Sequence, residues 1–230
     1  LDEMSDNNGL YPIHHAVLFN NFEAVKLLKK YKRNLNIEDR DGNLAIYKAI
    51  TNNNFQIFEF LLNEMSDINY QNKNGETILH LSSNYGYDNI TAKIINFNIN
   101  VNIQDYINEI APFMYLLILG NKNIFNKIFN KINFNLQDSN GNNILHYSII
   151  EDNIFFINQI IENSDIDLDT TNIYGKTFLH LLIDNFKDGF RKLNLELIFN
   201  KTNLNILDNN GNSITLLICK NGLFNELSNF

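Results

Sequence analysis

The chain of 230 residues carries 26 acidic and 18 basic side chains, a formal net charge of −8, and 44% of its residues are hydrophobic. This composition can bury a core, and the negative charge disfavours nucleic acid as a main partner. The single cysteine, Cys219, excludes an internal disulfide and a cysteine-based zinc site. No apolar run of about 18 residues and no basic-then-apolar leader are visible, so we expect no membrane insertion and an intracellular protein, cytoplasmic or nuclear.

A polar turn containing glycine recurs along the chain about every 33 residues. Its glycines are Gly9, Gly42, Gly75, Gly141, Gly175 and Gly211. Between Gly75 and Gly141 a glycine-free copy of the pattern falls near Glu109. Because a fixed period of this length is typical of repeat proteins, we predict seven repeats.

A four-residue motif, two residues after each turn, predicts the start of a helix. Its first residue can cap the helix, and proline is tolerated at its second because that amide lacks a helical partner anyway. Its third residue begins a buried stripe. The seven copies are residues 11–14, 44–47, 77–80, 111–114, 143–146, 177–180 and 213–216.

A second helix and a short extended stretch complete each repeat. Apolar segments such as 22–28, 55–62, 124–129 and 154–161 predict the second helices. Alternating apolar and polar residues then lead to an Asx turn, as in 35–39, 68–72, 101–105, 134–138 and 204–208. At this point the sequence resembles the ankyrin repeat family over essentially its whole length.

The resemblance implies an all-α solenoid of stacked helix-turn-helix repeats with short β-hairpin-like fingers between them. A two-helix repeat cannot bury its apolar stripe alone, so neighbouring repeats must stack. About three extra residues near 187–192 and a shortened last helix at 223–227 depart from the pattern. We expect a single ankyrin-repeat domain, residues 1–230, with repeats at approximately 6–38, 39–71, 72–105, 106–137, 138–171, 172–207 and 208–230.

The five histidines lack the spacing of a metal site, although histidine is the commonest metal ligand. His14, His80, His146 and His180 each occupy the fourth position of the motif, so they are expected in different layers of the stack. The resemblance implies a structural hydrogen bond for each of these four. His15 is expected on the surface or in the groove.

Motifs that would indicate catalysis are missing from the sequence. We find no nucleophile elbow, no glycine-rich phosphate loop and no His-Glu zinc pattern. Cys219, on the first helix of the seventh repeat, is expected to be a buried and inert thiol. The sequence therefore predicts a protein that is not an enzyme and that needs no metal or cofactor.

A concave groove of finger tips and first helices is where the resemblance implies that another protein binds. Exposed apolar residues in a group usually mark an interaction site. The alternative is that the fourth repeat is irregular and places its isoleucines in the core. The candidates are an apolar band of Tyr85, Ile107, Ile110, Ile118, Leu119, Ile150, Ile173 and Tyr174, together with the charged residues Arg40, Asp41, Lys73 and Glu76.

Two rival interpretations remain open beside a non-catalytic protein-binding scaffold. The first is a regulatory or targeting arm of a larger enzyme, channel or adaptor, since the chain opens inside the repeat pattern. The second is a viral or pathogen protein that mimics host ankyrin proteins. That interpretation rests on 45 Asn and 32 Ile against 6 Ala, a composition typical of an A+T-rich genome.

Overall fold

A computed structural model describes residues 4–151, 153–185 and 193–223 of the chain. Within these ranges helices alternate with turns, and strand pairing is limited to one isolated bridge between Leu207 and Ser213. The helices belong to two compact units, one ending at Ile132 and the other beginning at Asn133. We call them the N-terminal unit and the C-terminal unit.

The N-terminal unit contains four helix pairs in two layers. The first helices, α1, α3, α5 and α7, pack side by side in that order, and each also packs against the helix that follows it in the chain. The second helices, α2, α4, α6 and α8, form the other layer. The helices are α1 (Pro12–Leu18), α2 (Phe22–Lys30), α3 (Ala45–Thr51), α4 (Phe55–Leu62), α5 (Ile78–Asn84), α6 (Asp88–Ile94), α7 (Pro112–Ile118) and α8 (Lys122–Ile128), followed by the 3-10 turn Phe129–Lys131.

The C-terminal unit repeats the same arrangement. Helix α9 packs against α10 and α11, and α11 packs against α13. The predicted additional residues near 187–192 and most of the predicted last helix, 224–227, lie outside the described residues. The helices are α9 (Ile144–Ile150), α10 (Ile154–Asn163), α11 (Phe178–Asp184), α12 (Leu195–Lys201) and α13 (Ile214–Lys220).

Each first helix begins where the four-residue motif predicts. The residue before each of these helices is the first residue of a motif, and Thr77 and Thr177 cap their helices through their hydroxyl oxygens. Most second helices are capped by asparagine; Asn54, for example, accepts a 3.0 Å hydrogen bond from the amide of Ile57. A side-chain cap of this kind contributes about 1 kcal/mol.

The third residue of the motif forms part of the core of each unit. In the N-terminal unit Ile13, Ile46, Leu79 and Phe113 are all buried, so adjacent first helices share one continuous apolar layer. Each such side chain contributes about 1.5–3 kcal/mol on burial. In the C-terminal unit Leu145 and Leu179 are buried in the same way, whereas Thr215 is exposed.

Candidate functional site

The finger turns are built by one side chain that binds two backbone amides. Asp39 Oδ1 accepts hydrogen bonds from the amides of Asp41 (2.9 Å) and Asn43 (2.8 Å). The backbone closes the turn with bonds from Gly42 N to Asp39 O and from Asp39 N to Asn43 O. Asn72, Asp138, Asn172 and Asp208 build the same turn, so the finger tips have a common backbone frame.

The fourth finger is longer by one residue and contains no glycine. Asp105 N donates to Ile110 O, five positions on, where the other fingers close after four. Glu109 takes the left-handed conformation, with φ of 55°. Tyr106 and Ile107 are exposed at the tip, as are the equivalent residues of the third finger, Lys73 and Asn74.

Adjacent fingers of the N-terminal unit are joined along their tips. Lys73 N donates to Asp41 O at 3.2 Å, and Tyr106 N donates to Asn74 O at 2.8 Å. Lys73 Nζ also donates to the carbonyl oxygen of Arg40 at 2.8 Å. Arg40, Lys73 and Tyr106 occupy equivalent positions 33 residues apart, so they form a ridge of long side chains across three fingers.

Several fingers are anchored to the following first helix by an aspartate. Lys48 Nζ lies 2.9 Å from Asp39 Oδ2, and the Tyr147 hydroxyl donates to Asp138 Oδ2 at 2.7 Å. Burial opposes the ionisation of Asp39, yet the hydrogen bond from Lys48 and those from backbone amides hold its pKa below the usual value. Where the finger carries Asn72 instead, the equivalent helix residue is the apolar Leu81.

Four histidines link each repeat to the finger of the next repeat. His80 Nδ1 accepts a 3.0 Å hydrogen bond from the amide of Thr77, so Nε2 carries the proton and donates to Ile110 O at 3.1 Å. His14, His146 and His180 make equivalent bonds. The structural hydrogen bond that the resemblance implies is therefore confirmed.

Burial keeps three of these histidines neutral. Desolvation lowers the pKa of His14, His80 and His146 below the ordinary 6.5. In the described ranges no three His, Cys, Asp or Glu side chains are grouped closely enough to hold a metal ion. His15 is half-buried and lies 3.1 Å from Asp6 Oδ2 at the first finger.

The predicted apolar residues of the N-terminal unit lie at the fourth finger and at the ends of first helices. Tyr85, at the end of α5, is 50% exposed, and Leu119, at the end of α7, is similarly exposed. Ile107 is exposed at the finger tip, whereas Ile110 and Ile118 are half-buried.

The predicted charged residues all belong to the second and third fingers. Arg40, Asp41 and Lys73 are exposed at the tips. Glu76 is half-buried and accepts a 2.9 Å hydrogen bond from Asn72 Nδ2, so it also stiffens its own turn.

In the C-terminal unit the three predicted apolar residues are exposed. Ile150 ends α9, while Ile173 and Tyr174 form the tip of the sixth finger, with Tyr174 62% exposed. Beside them Lys176 Nζ and Asp184 Oδ2 form an ion pair at 2.5 Å. This surface is therefore apolar at the finger tip and charged where the finger meets α11.

Two exposed apolar side chains near the fingers were not predicted as part of the site. Tyr106 is 67% exposed, and Leu207 precedes the seventh finger. Tyr106 could have been found from the period, because it occupies the position of Lys73 in the preceding repeat.

The expectation for Cys219 is wrong. Its side chain is exposed, although the equivalent first-helix residues, such as Ile50 and Ile183, are buried. Helix α13 buries Ile214 and Leu217, and Cys219 lies on the other side of this helix. None of the helices in the described ranges has the length and hydropathy needed to cross a bilayer.

Sequence comparisons relate these repeats to known proteins. A family model described as ankyrin repeats in three copies matches residues 1–72, and a model of the single ankyrin repeat matches residues 74–106. The putative ankyrin repeat protein L371 of Acanthamoeba polyphaga mimivirus is 26% identical over 248 aligned residues, which cover 97% of this chain. The chain spans 28% of the length of that relative.

Solved structures share the fold. The ankyrin repeat domain of Bcl-3, a member of the IkappaB family, has a TM-score of 0.71 at 13% identity, over 92% of this chain and 95% of that one. A chain in the complex of the predatory endopeptidase Bd0816 from Bdellovibrio bacteriovorus with the immunity protein Bd3460 has a TM-score of 0.67 at 22% identity, over 86% and 100%. At these identities the likeness establishes an all-α repeat solenoid and nothing about partners.

Proposed function

Because this chain belongs to the ankyrin repeat family, we propose that it is a non-catalytic scaffold that binds another protein through its fingers and first helices. Ankyrin repeats generally mediate protein–protein interaction. The observation that carries the proposal is the exposure of large apolar side chains at finger tips and at the ends of first helices. Side chains of this kind are the usual anchors of protein interfaces.

Support from the N-terminal unit comes from the fourth repeat and its neighbours. Tyr85, Tyr106, Ile107 and Leu119 are all at least half exposed, and they lie at a finger tip and just after first helices. The ridge that begins at Arg40 adds charge along the same fingers. An apolar group beside charged, fixed side chains suits the centre and rim of an interface.

Support from the C-terminal unit is independent of the first. Ile150, Ile173 and Tyr174 expose an apolar surface beside the ion pair of Lys176 and Asp184. We propose that this surface also contacts the partner. The net charge of −8 and the absence of a basic groove motif favour a protein over nucleic acid.

The remaining parts of the proposal concern organisation and location. We propose one domain of seven repeats over residues 1–230, acting without metal or cofactor inside the cell, in cytoplasm or nucleus. His80 and His146 support the part of the proposal that concerns metals, because both ring nitrogens of each side chain are hydrogen-bonded to backbone groups.

Two tyrosines and a matched control test the function. A partner is first captured from lysate with the 230-residue chain and purified, and its Kd is then measured for Tyr85→Ala, Tyr174→Ala and Tyr31→Ala. Tyr31 is 61% exposed but follows the second helix α2, outside the predicted site. We expect a loss of about tenfold or more for either of the first two and no change for the third. Unchanged affinity for both Tyr85→Ala and Tyr174→Ala, with intact folding, would overturn the proposed site.

A second candidate function is a targeting or regulatory arm of a longer protein. The observation that favours it is the mimivirus relative, of which this chain spans 28%. Adding the purified partner to the protein expressed from the complete open reading frame distinguishes the two functions. A second activity of that protein that changes when the partner binds supports the arm.

A further inference from the structure

Five asparagines of the chain are followed directly by glycine, a dipeptide that can deamidate without an enzyme. The backbone nitrogen of the glycine attacks the side-chain carbon Cγ of the asparagine, so that a C–N bond forms and the side-chain nitrogen leaves as ammonia with the amide proton. Water then opens the five-membered imide to give aspartate or isoaspartate. Glycine favours the attack because it has no Cβ to obstruct it. The five dipeptides are 8–9, 74–75, 140–141, 210–211 and 221–222.

Four of these dipeptides lie at finger tips and share one turn. In each turn the amide of the glycine donates to the backbone carbonyl oxygen three residues earlier. The side chains of Asn74, Asn140 and Asn210 are all exposed. Because the copies share these features, neither the turn nor the access of water makes one asparagine more reactive than another. The donor–acceptor distances are 2.9 Å for Gly9, 2.9 Å for Gly75, 2.8 Å for Gly141 and 2.9 Å for Gly211.

The next finger holds two of these turns by a further hydrogen bond. Tyr106 N donates to the carbonyl oxygen of Asn74 at 2.8 Å, and Ile173 N donates to that of Asn140 at 2.9 Å. Each of these oxygens belongs to the peptide group whose nitrogen must turn toward Cγ before it can attack. Since the hydrogen bond has to break for the group to rotate, the next finger slows the reaction.

The packing of the glycines differs in the same way. Gly75 is buried, and a Cβ placed on it would lie 2.6 Å from Tyr106 N. A Cβ placed on Gly141 would lie 2.9 Å from Asn172 Cα. The peptide groups at the tips of the third and fifth fingers are therefore enclosed as well as hydrogen-bonded.

The seventh finger has neither restraint. Gly211 is exposed, and no described atom lies within 4 Å of a Cβ placed on it. Among the residues that the structure describes, none donates a hydrogen bond to the carbonyl oxygen of Asn210. The peptide group between Asn210 and Gly211 is thus held by its own turn alone.

The first finger and the end of α13 are each restrained in another way. The second finger lies against Gly9, where an added Cβ would be 2.9 Å from Arg40 N, and Arg40 Nη2 donates to the carbonyl oxygen of Asn7 at 2.6 Å. After α13 the side chain of Asn221 is fixed, because its Nδ2 donates to Leu217 O at 3.1 Å. Turning that side chain toward the next backbone nitrogen would break this bond.

We infer that Asn210 is the principal site of spontaneous deamidation in this chain. The reaction adds one negative charge at the tip of the seventh finger to a chain whose net charge is already −8. Isoaspartate also inserts a methylene group into the backbone of the turn that Asp208 N and Asn212 O close at 3.0 Å. The site is independent of the proposed function, because the reaction needs only water and no partner protein.

The test follows each asparagine by mass spectrometry while the folded 230-residue chain is incubated at mildly alkaline pH. Trypsin cleaves after lysine and arginine, which places the five asparagines in five different peptides: 1–26, 74–93, 132–176, 202–220 and 221–230. We expect Asn210 to deamidate about fivefold faster than Asn74 and Asn140, since each of those must also break a hydrogen bond to the next finger. A rate at any of the other four asparagines that equals or exceeds that of Asn210 would overturn the inference.

The same incubation in urea separates the effect of the fold from that of the local sequence. The five rates should become similar in the unfolded chain, because the hydrogen bonds and the packing between fingers are lost. If Asn210 keeps the same advantage in urea, the residues next to it in sequence set its rate, and the structural inference is wrong.

Two glutamine variants form a matched pair. Glutamine would have to form a six-membered ring, which closes far more slowly than the five-membered ring of asparagine. Asn210→Gln should remove most of the ammonia that the folded chain releases early, whereas Asn140→Gln should leave it near the wild-type amount. Both side chains are exposed, so neither substitution disturbs the core. Equal losses of ammonia in the two variants would contradict the assignment to Asn210.

Discussion

The Tyr47 hydroxyl donates a hydrogen bond to the carbonyl oxygen of Glu76 at 2.9 Å. In the repeats that carry histidine at this position, Nε2 binds the corresponding carbonyl, as His80 does with Ile110. Tyrosine therefore preserves the link between one repeat and the next finger through a different donor. Burial raises the pKa of Tyr47, so the hydroxyl keeps the proton that it donates.

Tyr47→Phe should destabilise the N-terminal unit by about 1–3 kcal/mol, because it leaves the carbonyl oxygens of Tyr70 and Glu76 without their buried donor. Chemical denaturation followed by circular dichroism measures the change. Tyr31→Phe, at an exposed position, is the matched control and should have no effect. A free energy of unfolding that is equal in the two variants would show that the link contributes nothing.

Stability should fall as the pH drops below about 6.5. The folded pKa values of His14, His80 and His146 are lowered from 6.5, so the unfolded chain binds more protons than the folded chain in this range. Their contribution is complete above the unfolded value and is lost as the pH falls toward the folded values. Denaturant unfolding at pH values from about 7.5 to 5 checks the slope, and a stability that rises on acidification in this window would contradict the account.

A separate loss is expected at lower pH. Asp39 has a lowered pKa in the folded state despite its burial, because Lys48 and backbone amides bind its carboxylate. The stability that this carboxylate provides is present above its unfolded pKa of about 3.8 and is lost as the pH falls through the lower folded value. Asp39→Asn should remove this loss of stability at low pH and leave in place the loss near pH 6 that the histidines cause. If the variant still loses as much stability at low pH as the wild type, other carboxylates are responsible for that loss.

Gly75→Ala should destabilise the protein more than Gly211→Ala does. Both glycines have φ near +75°, a conformation that costs alanine about 1–2 kcal/mol. A Cβ at Gly75 would also lie 2.6 Å from the backbone nitrogen of Tyr106, whereas no described atom lies within 4 Å of one at Gly211. The difference in unfolding free energy between the variants isolates the contact between fingers, and equal effects would mean that the third and fourth fingers separate at little cost.

The local structure of the repeats could be read from sequence because it depends on short-range chemistry. Thr77 and Ser213 each cap the helix that the motif predicts, and Pro12 begins α1. These positions are set by hydrogen bonds within a few residues, so the period alone locates them.

Features that depend on neighbouring repeats were not predictable in the same way. The spacing of 34 residues between the motifs at 77 and 111 reveals an extra residue in the fourth repeat, but it does not show that Glu109 takes the left-handed conformation. Nor does the sequence show that the Tyr47 hydroxyl bonds the carbonyl oxygen that Nε2 bonds in the histidine repeats. The exposure of Cys219 likewise depends on which face α13 buries. For the candidate site, the sequence located Tyr85 and Tyr174 but missed the exposed Tyr106 of the fourth finger.

Site-specific photo-crosslinking to the purified partner tests most directly whether binding occurs at the fingers. The photoreactive amino acid benzoyl-phenylalanine replaces Tyr106 at the fourth finger in one variant and Tyr31 after α2 in another; the two tyrosines are 67% and 61% exposed. We predict a crosslinked complex from position 106 and none from position 31. A crosslink from position 31 alone would place the partner outside the predicted site and contradict the proposed interface.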